Sequence, residues 1–157
     1  MIRCFSNAAS RLKSLVREEL RTQGFTPARI VVKPNWVLHE TDSAFPIRAL
    51  VSDARLIEAV VESCLELYPG VEQILVGDCP LQYANWPLMR EQSGLEPIVR
   101  RLEKVSGGRV EFRDLRREVF RQEGDTFLRE STDRHGDPQG YREVELGAAS
   151  QIGRAHV

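Results

Sequence analysis

The sequence predicts an α/β fold: a mainly parallel sheet in a three-layer arrangement with helices on both faces. Three observations carry this. Arg29–Lys33, Gln73–Gly77 and Arg109–Arg113 are short apolar runs rich in β-branched residues, too short for helices. They alternate with segments whose apolar residues recur at helical spacing, the pattern of strands joined by crossover helices. Turn formers close the first two runs, Pro34 after one and Asp78-Cys-Pro80 after the other.

Each element has its own signal. Ala9, Leu12, Leu15, Val16 and Leu20 set a first helix over about 8–23, with Gly24 as its stop. Ile30-Val-Val makes the first strand. Ile57, Val60, Val61, Cys64, Leu65 and Tyr68 mark the second helix, with Ser52 and Asp53 as cap candidates and Pro69-Gly70 as terminator. Ile74-Leu-Val is a buried second strand. Asn85 as cap, Pro87 in the first turn and Leu88, Leu95, Ile98, Val99 and Leu102 predict helix from 86 to about 105, interrupted near Gly94 and Pro97. A third strand follows at 109–113. Short strands at 116–121, 126–130 and 141–146 are expected beyond it, separated by Gly124-Asp125 and by His135-Gly-Asp-Pro138.

With 157 residues, the chain is of single-domain size. Its 22 basic and 23 acidic residues balance to a net charge of −1, so no general attraction for a polyanion exists and nucleic acid is not an expected partner. No apolar segment approaches the roughly 18 residues of a membrane span. Cys4, Cys64 and Cys79 are widely spaced and form no CxxC pair, which leaves neither a disulfide framework nor a zinc or iron–sulfur set. No metal site is expected, no cofactor is indicated, and the start of the chain lacks the apolar core of a signal peptide. A reducing, cytoplasmic setting is the expectation. Ile152–Val157 reads IGRAHV, the translation of a widely used sequencing-adapter stretch, ATC GGA AGA GCA CAC GTC. Residues 152–157 are therefore expected to be non-native, and 1–151 to be the N-terminal portion of one α/β domain truncated at its C-terminus.

In open α/β sheets, ligands gather beyond the carboxyl ends of the strands. Lys33-Pro-Asn-Trp36 opens a segment of about 18 residues before Asp53, longer than structureless connections usually run, and it holds His39, Glu40, Asp42 and Arg48. A lysine leaving a buried strand offers a point charge for a carboxylate or phosphate, and Asn35 an orienting amide. The plainer alternative is that Lys33 reaches solvent and Pro34 merely ends the strand. At the second strand end, Gly77 allows close backbone approach, and Asp78 suits a metal ligand, a partner for Lys33 or a turn cap. Trp36, Tyr83 and Trp86 are read first as sealing the core edge, with ligand stacking as the alternative. Arg113, Arg116, Arg117 and Arg121 alternate with acidic residues and read as a solvated mixed-charge face. His135 fits a turn better than a metal site.

Ile30-Val-Val-Lys-Pro-Asn-Trp36, followed by Ile74-Leu-Val-Gly-Asp-Cys-Pro80, resembles the N-terminal half of the DUF362 family over about residues 29–105. Lys33, Pro34, Asn35, Gly77, Asp78 and Pro80 match its two motifs. The family carries no settled activity. The resemblance implies a domain that in some relatives is fused to ferredoxin-like cysteine clusters and in others is encoded among genes for surface polysaccharides. This chain has no cysteine quartet of its own, and the family's further Lys/His-bearing stretch has no counterpart in it.

Two functions are compatible with these residues. The first is an enzyme, or part of one, that binds an anionic small molecule through Lys33, Asn35, Gly77 and Asp78, with Trp36, His39 and Asp42 as secondary contacts. The second is a non-catalytic module that docks onto a redox (iron–sulfur, ferredoxin-like) or polysaccharide-assembly partner. If the first two strands are parallel neighbours, Lys33 and Asp78 must face one crevice. Lys33→Ala and Asp78→Ala would then abolish ligand binding with thermal stability unchanged.

Overall fold

A computed structural model describes residues 2–22, 24, 26–41, 45–116, 118–123 and 126–131. The expected strand at 141–146, the turn around His135, the 152–157 tail and Asp42 lie outside the described residues. Helix α1 (Ile2–Thr22) precedes strand β1 (Arg29–Val32), the short turn α2 (Ile47–Leu50) and helix α3 (Ala54–Leu67). Strand β2 (Gln73–Asp78), helices α4 (Trp86–Gln92) and α5 (Leu95–Val105), strand β3 (Val110–Asp114) and the strands β4 (Glu118–Glu123) and β5 (Thr126–Ser131) complete the order.

Helix α1 begins six residues before the spacing predicts, because nothing in Ile2-Arg-Cys-Phe-Ser-Asn interrupts propagation once a nucleus exists. The caps of α3 and α4 follow the sequence. Asp53 accepts the Arg55 N–H at 2.8 Å, and Asn85 accepts the Leu88 N–H at 3.1 Å. The expected interruption falls at Gly94, whose φ of 70° lies in the left-handed region that costs glycine least. Pro97 then sits in the first turn of α5, where its missing N–H has no helical acceptor to lose.

Strands β1, β2 and β3 form a parallel sheet in that order, with Ile30 opposite Ile74 and Val76 opposite Phe112. Alternation then decides what each face meets. Ile74, Val76, Val110 and Phe112 point to one face and are buried with Ile57, Val61 and Cys64 of α3 and Val99 and Leu102 of α5. Each such side chain contributes roughly 1.5–3 kcal/mol of transfer free energy. The opposite face carries Val31, 69% exposed, with half-buried Leu75, Glu111 and Arg113. Among the described residues, the helices of the core cover the first face only.

Helix α1 packs on α3, and α3 on α5. Tyr68 at the end of α3 donates its hydroxyl to the Leu20 carbonyl at 3.2 Å. Charges stitch the three helices along their outer rim. Glu62 receives Lys13 and Arg101, each at 2.8 Å, while Glu66 pairs with Lys13 and Arg17, and Glu58 with Arg101. Strands β4 and β5 form a separate antiparallel pair, within two residues of the predicted bounds, with Glu123 opposite Thr126. The pair is tied to the chain after β2 by the Phe120 N–H, which donates to the Gln82 carbonyl at 2.8 Å.

Candidate functional site at the strand ends

Because β1 and β2 are parallel neighbours, Lys33 and Asp78 leave the sheet at one edge. Lys33 Nζ lies 2.9 Å from Asp78 Oδ1. The partners differ in environment: the lysine side chain is 69% exposed and the aspartate only 8%. Asp78 is held from beneath as well. Its Oδ2 accepts the Trp36 N–H at 2.8 Å and its Oδ1 the Cys79 N–H at 2.9 Å. One carboxylate thus fastens the exit of β1 to the exit of β2, which is why an acid can stay buried here without a second cation.

The long segment after β1 is less open than its length suggests. Asn35 and Ser52 exchange two hydrogen bonds of 2.8 Å, Asn35 N–H to the serine hydroxyl and Ser52 N–H to the Asn35 carbonyl. Trp36 bridges Val51 in antiparallel fashion, and α2 occupies the middle of what reads as loop. Asn35 is exposed, two residues after Lys33. Trp36 is 3% exposed, with its ring 4.7 Å from that of Trp86 and tilted by 53°. The Arg90 guanidinium stands 5.7 Å from the Trp86 ring. Both tryptophans therefore close the core edge, whereas Tyr83 is 45% exposed.

Gly77 has an extended strand backbone, and its close approach is to Leu115. A Cβ built on Gly77 would stand 3.0 Å from two Leu115 side-chain carbons and 3.2 Å from the Arg113 carbonyl. Packing explains this glycine. His39 is half-buried, and its Nδ1 accepts the Asn85 N–H at 3.2 Å. Glu40 next to it exchanges two bonds with the Gln92 amide, of 2.7 and 3.0 Å, and accepts the Ile47 N–H at 2.8 Å.

The third strand end holds what sequence reading missed. Arg116 belongs to no solvated face: it is 5% exposed and pairs with Asp114, itself 7% exposed, through Nε at 2.9 Å and Nη2 at 2.6 Å. Its Nη1 donates to the carbonyls of Leu81, Gln82 and Ala84 at 2.8, 3.1 and 2.9 Å. Asp114 stands opposite Asp78 in the register, so the edge carries two buried carboxylates, each with its own cation. The Asp114-Leu-Arg116 spacing at a strand end was the signal available in the sequence.

Comparison of the chain with family models, curated proteins and solved structures finds no match. The strand-end geometry therefore stands on its own chemistry. Among the described residues no group of three His, Cys, Asp or Glu side chains could hold a metal ion, and no helix is long and apolar enough to cross a membrane. Cys64 is buried, which pushes its thiol pKa up and leaves it unreactive, while Cys79 is exposed at the β2 exit.

Proposed function

We propose that this chain is the N-terminal portion of a DUF362-like domain that binds an anionic small molecule beyond the ends of β1 and β2. The observation that carries the reading is the Lys33–Asp78 pair: an exposed ammonium held at 2.9 Å by a buried carboxylate. Asp78 uses one face of that ammonium and orients the side chain, which leaves donors for a carboxylate or phosphate on the solvent side. The exposed Asn35 amide supplies a second, orienting contact. Asp78 is a positioning residue in this arrangement, and Gly77 acts by admitting Leu115 beneath it.

The same reading includes a third layer. Parallel sheets occur almost only with both faces covered, and here the Val31 face is open among the described residues. Helices from the rest of the domain would cover it.

Exposed Leu81 and Tyr83 beside the same edge favour a second reading, a docking module for a ferredoxin-like or polysaccharide-assembly protein. Amine labelling of the full chain across pH, with and without inorganic phosphate, tests the first. Phosphate should protect Lys33 selectively, and Lys33→Ala should remove phosphate-induced amide shifts at residues 34–36 and 78–80. Equal labelling of Lys33 with and without phosphate, together with shifts that persist in Lys33→Ala, would refute anion binding there.

A further inference from the structure

The contact between His39 and α4 is built from a lone pair, and that makes it sensitive to protonation. Asn85 N–H points at His39 Nδ1 across 3.2 Å, so the neutral ring carries its proton on Nε2. An imidazolium has no acceptor nitrogen. We infer that His39 is a pH-operated latch between the segment after β1 and the start of α4, closed when the ring is neutral and released when it is protonated. This goes beyond the anion-binding reading and does not depend on it.

Among the described residues, the charged groups around this contact are committed elsewhere. On its own segment, Glu40 spends its carboxylate on the Ile47 N–H. On α4, Arg90 is paired with Glu96 at 2.6 Å, and it is a cation in any case. On the turn before α4, Arg116 reaches in from β3 with its positive charge already committed to Asp114 and three carbonyls. Burial holds the His39 pKa below its ordinary value. Release of the latch leaves the other tie intact, because Glu40 and Gln92 meet through an amide and a peptide group that do not titrate. Acid should therefore loosen residues 37–39 against Asn85 without unfolding the chain.

The experiment is a pH titration of the full chain followed by amide and imidazole nuclear magnetic resonance. His39 should titrate below about 6.5, the ordinary histidine value. The Asn85 amide should shift with the same midpoint, while the Leu88 amide, capped by the Asn85 side chain, stays nearly still. In His39→Gln the Asn85 transition should vanish. An Asn85 amide that ignores the His39 titration, or an Asn85 transition that survives in His39→Gln, would overturn the proposal. So would a His39 midpoint at or above the ordinary value.

Discussion

At the scale of single residues, Lys33 and Asp78 share one ion pair but have unequal structural weight. Lys33 is mostly exposed, and removing it leaves Asp78 with two backbone donors, so Lys33→Ala should cost no more than about 1 kcal/mol. Asp78→Ala strands the buried Trp36 amide, at roughly 1–3 kcal/mol, and removes a second, part-buried bond from the Cys79 amide. Urea unfolding of the two variants should show this asymmetry. The sequence-based expectation that both substitutions would spare stability is thereby revised for Asp78, and Lys33→Ala is the cleaner test of binding. Arg116 has a larger effect still. Arg116→Ala leaves the buried Asp114 carboxylate without the guanidinium, takes the guanidinium donor from the Ala84 carbonyl and removes one of two donors from each of the Leu81 and Gln82 carbonyls, and about 3–5 kcal/mol of destabilisation is expected in the same assay. A midpoint within experimental error of the parent would show that water replaces the guanidinium without cost.

At the scale of elements, α3 and α5 form the layer on which the sheet rests. Leu102 is fully buried between α5 and the sheet core, and Leu102→Ala should cost about 2–5 kcal/mol, depending on how far the site collapses. Asp53→Ala removes the cap of α3 and should cost about 1 kcal/mol, read as a lower thermal midpoint with unchanged helical circular dichroism in the folded state. The helices were legible in the sequence because their apolar spacing, caps and breakers agree. The short α2 was not. Four residues give no periodicity, and the turn forms because Trp36 pairs with Val51 and draws the intervening segment back on itself.

At the scale of the whole molecule, acid should weaken the fold in two stages. His39 has a lowered pKa in the folded chain, so its contribution is complete above about 6.5 and is lost as pH falls from there through the folded value. Carboxylates follow at lower pH. The Arg55 hydrogen bond holds Asp53 below its usual value, and at Glu62 burial pushes upward but the bonds from Lys13 and Arg101 outweigh it. Their contribution is present above about pH 4 and lost as pH falls through their depressed values. Thermal midpoints measured from pH 8 to pH 3 should show both declines. A flat profile between pH 7 and pH 5 would contradict the first, and added salt should blunt the second, since the α1–α3–α5 charges lie near solvent.

The alternation of strands and helices, the parallel pairing that follows from it, and the edge at which Lys33 and Asp78 must meet are all legible in the residues alone. Those properties are local periodicity plus crossover geometry, and neither needs tertiary detail. That Asp78 is a buried fastener with two amide donors, that Gly77 makes room for Leu115, and that Arg116 is an internal clamp rather than part of a solvated face emerges only from the packed chain. The decisive hydrogen-bond partners come from segments 32 to 42 residues away. A charged side chain in a one-dimensional pattern looks the same whether it meets water or three carbonyls.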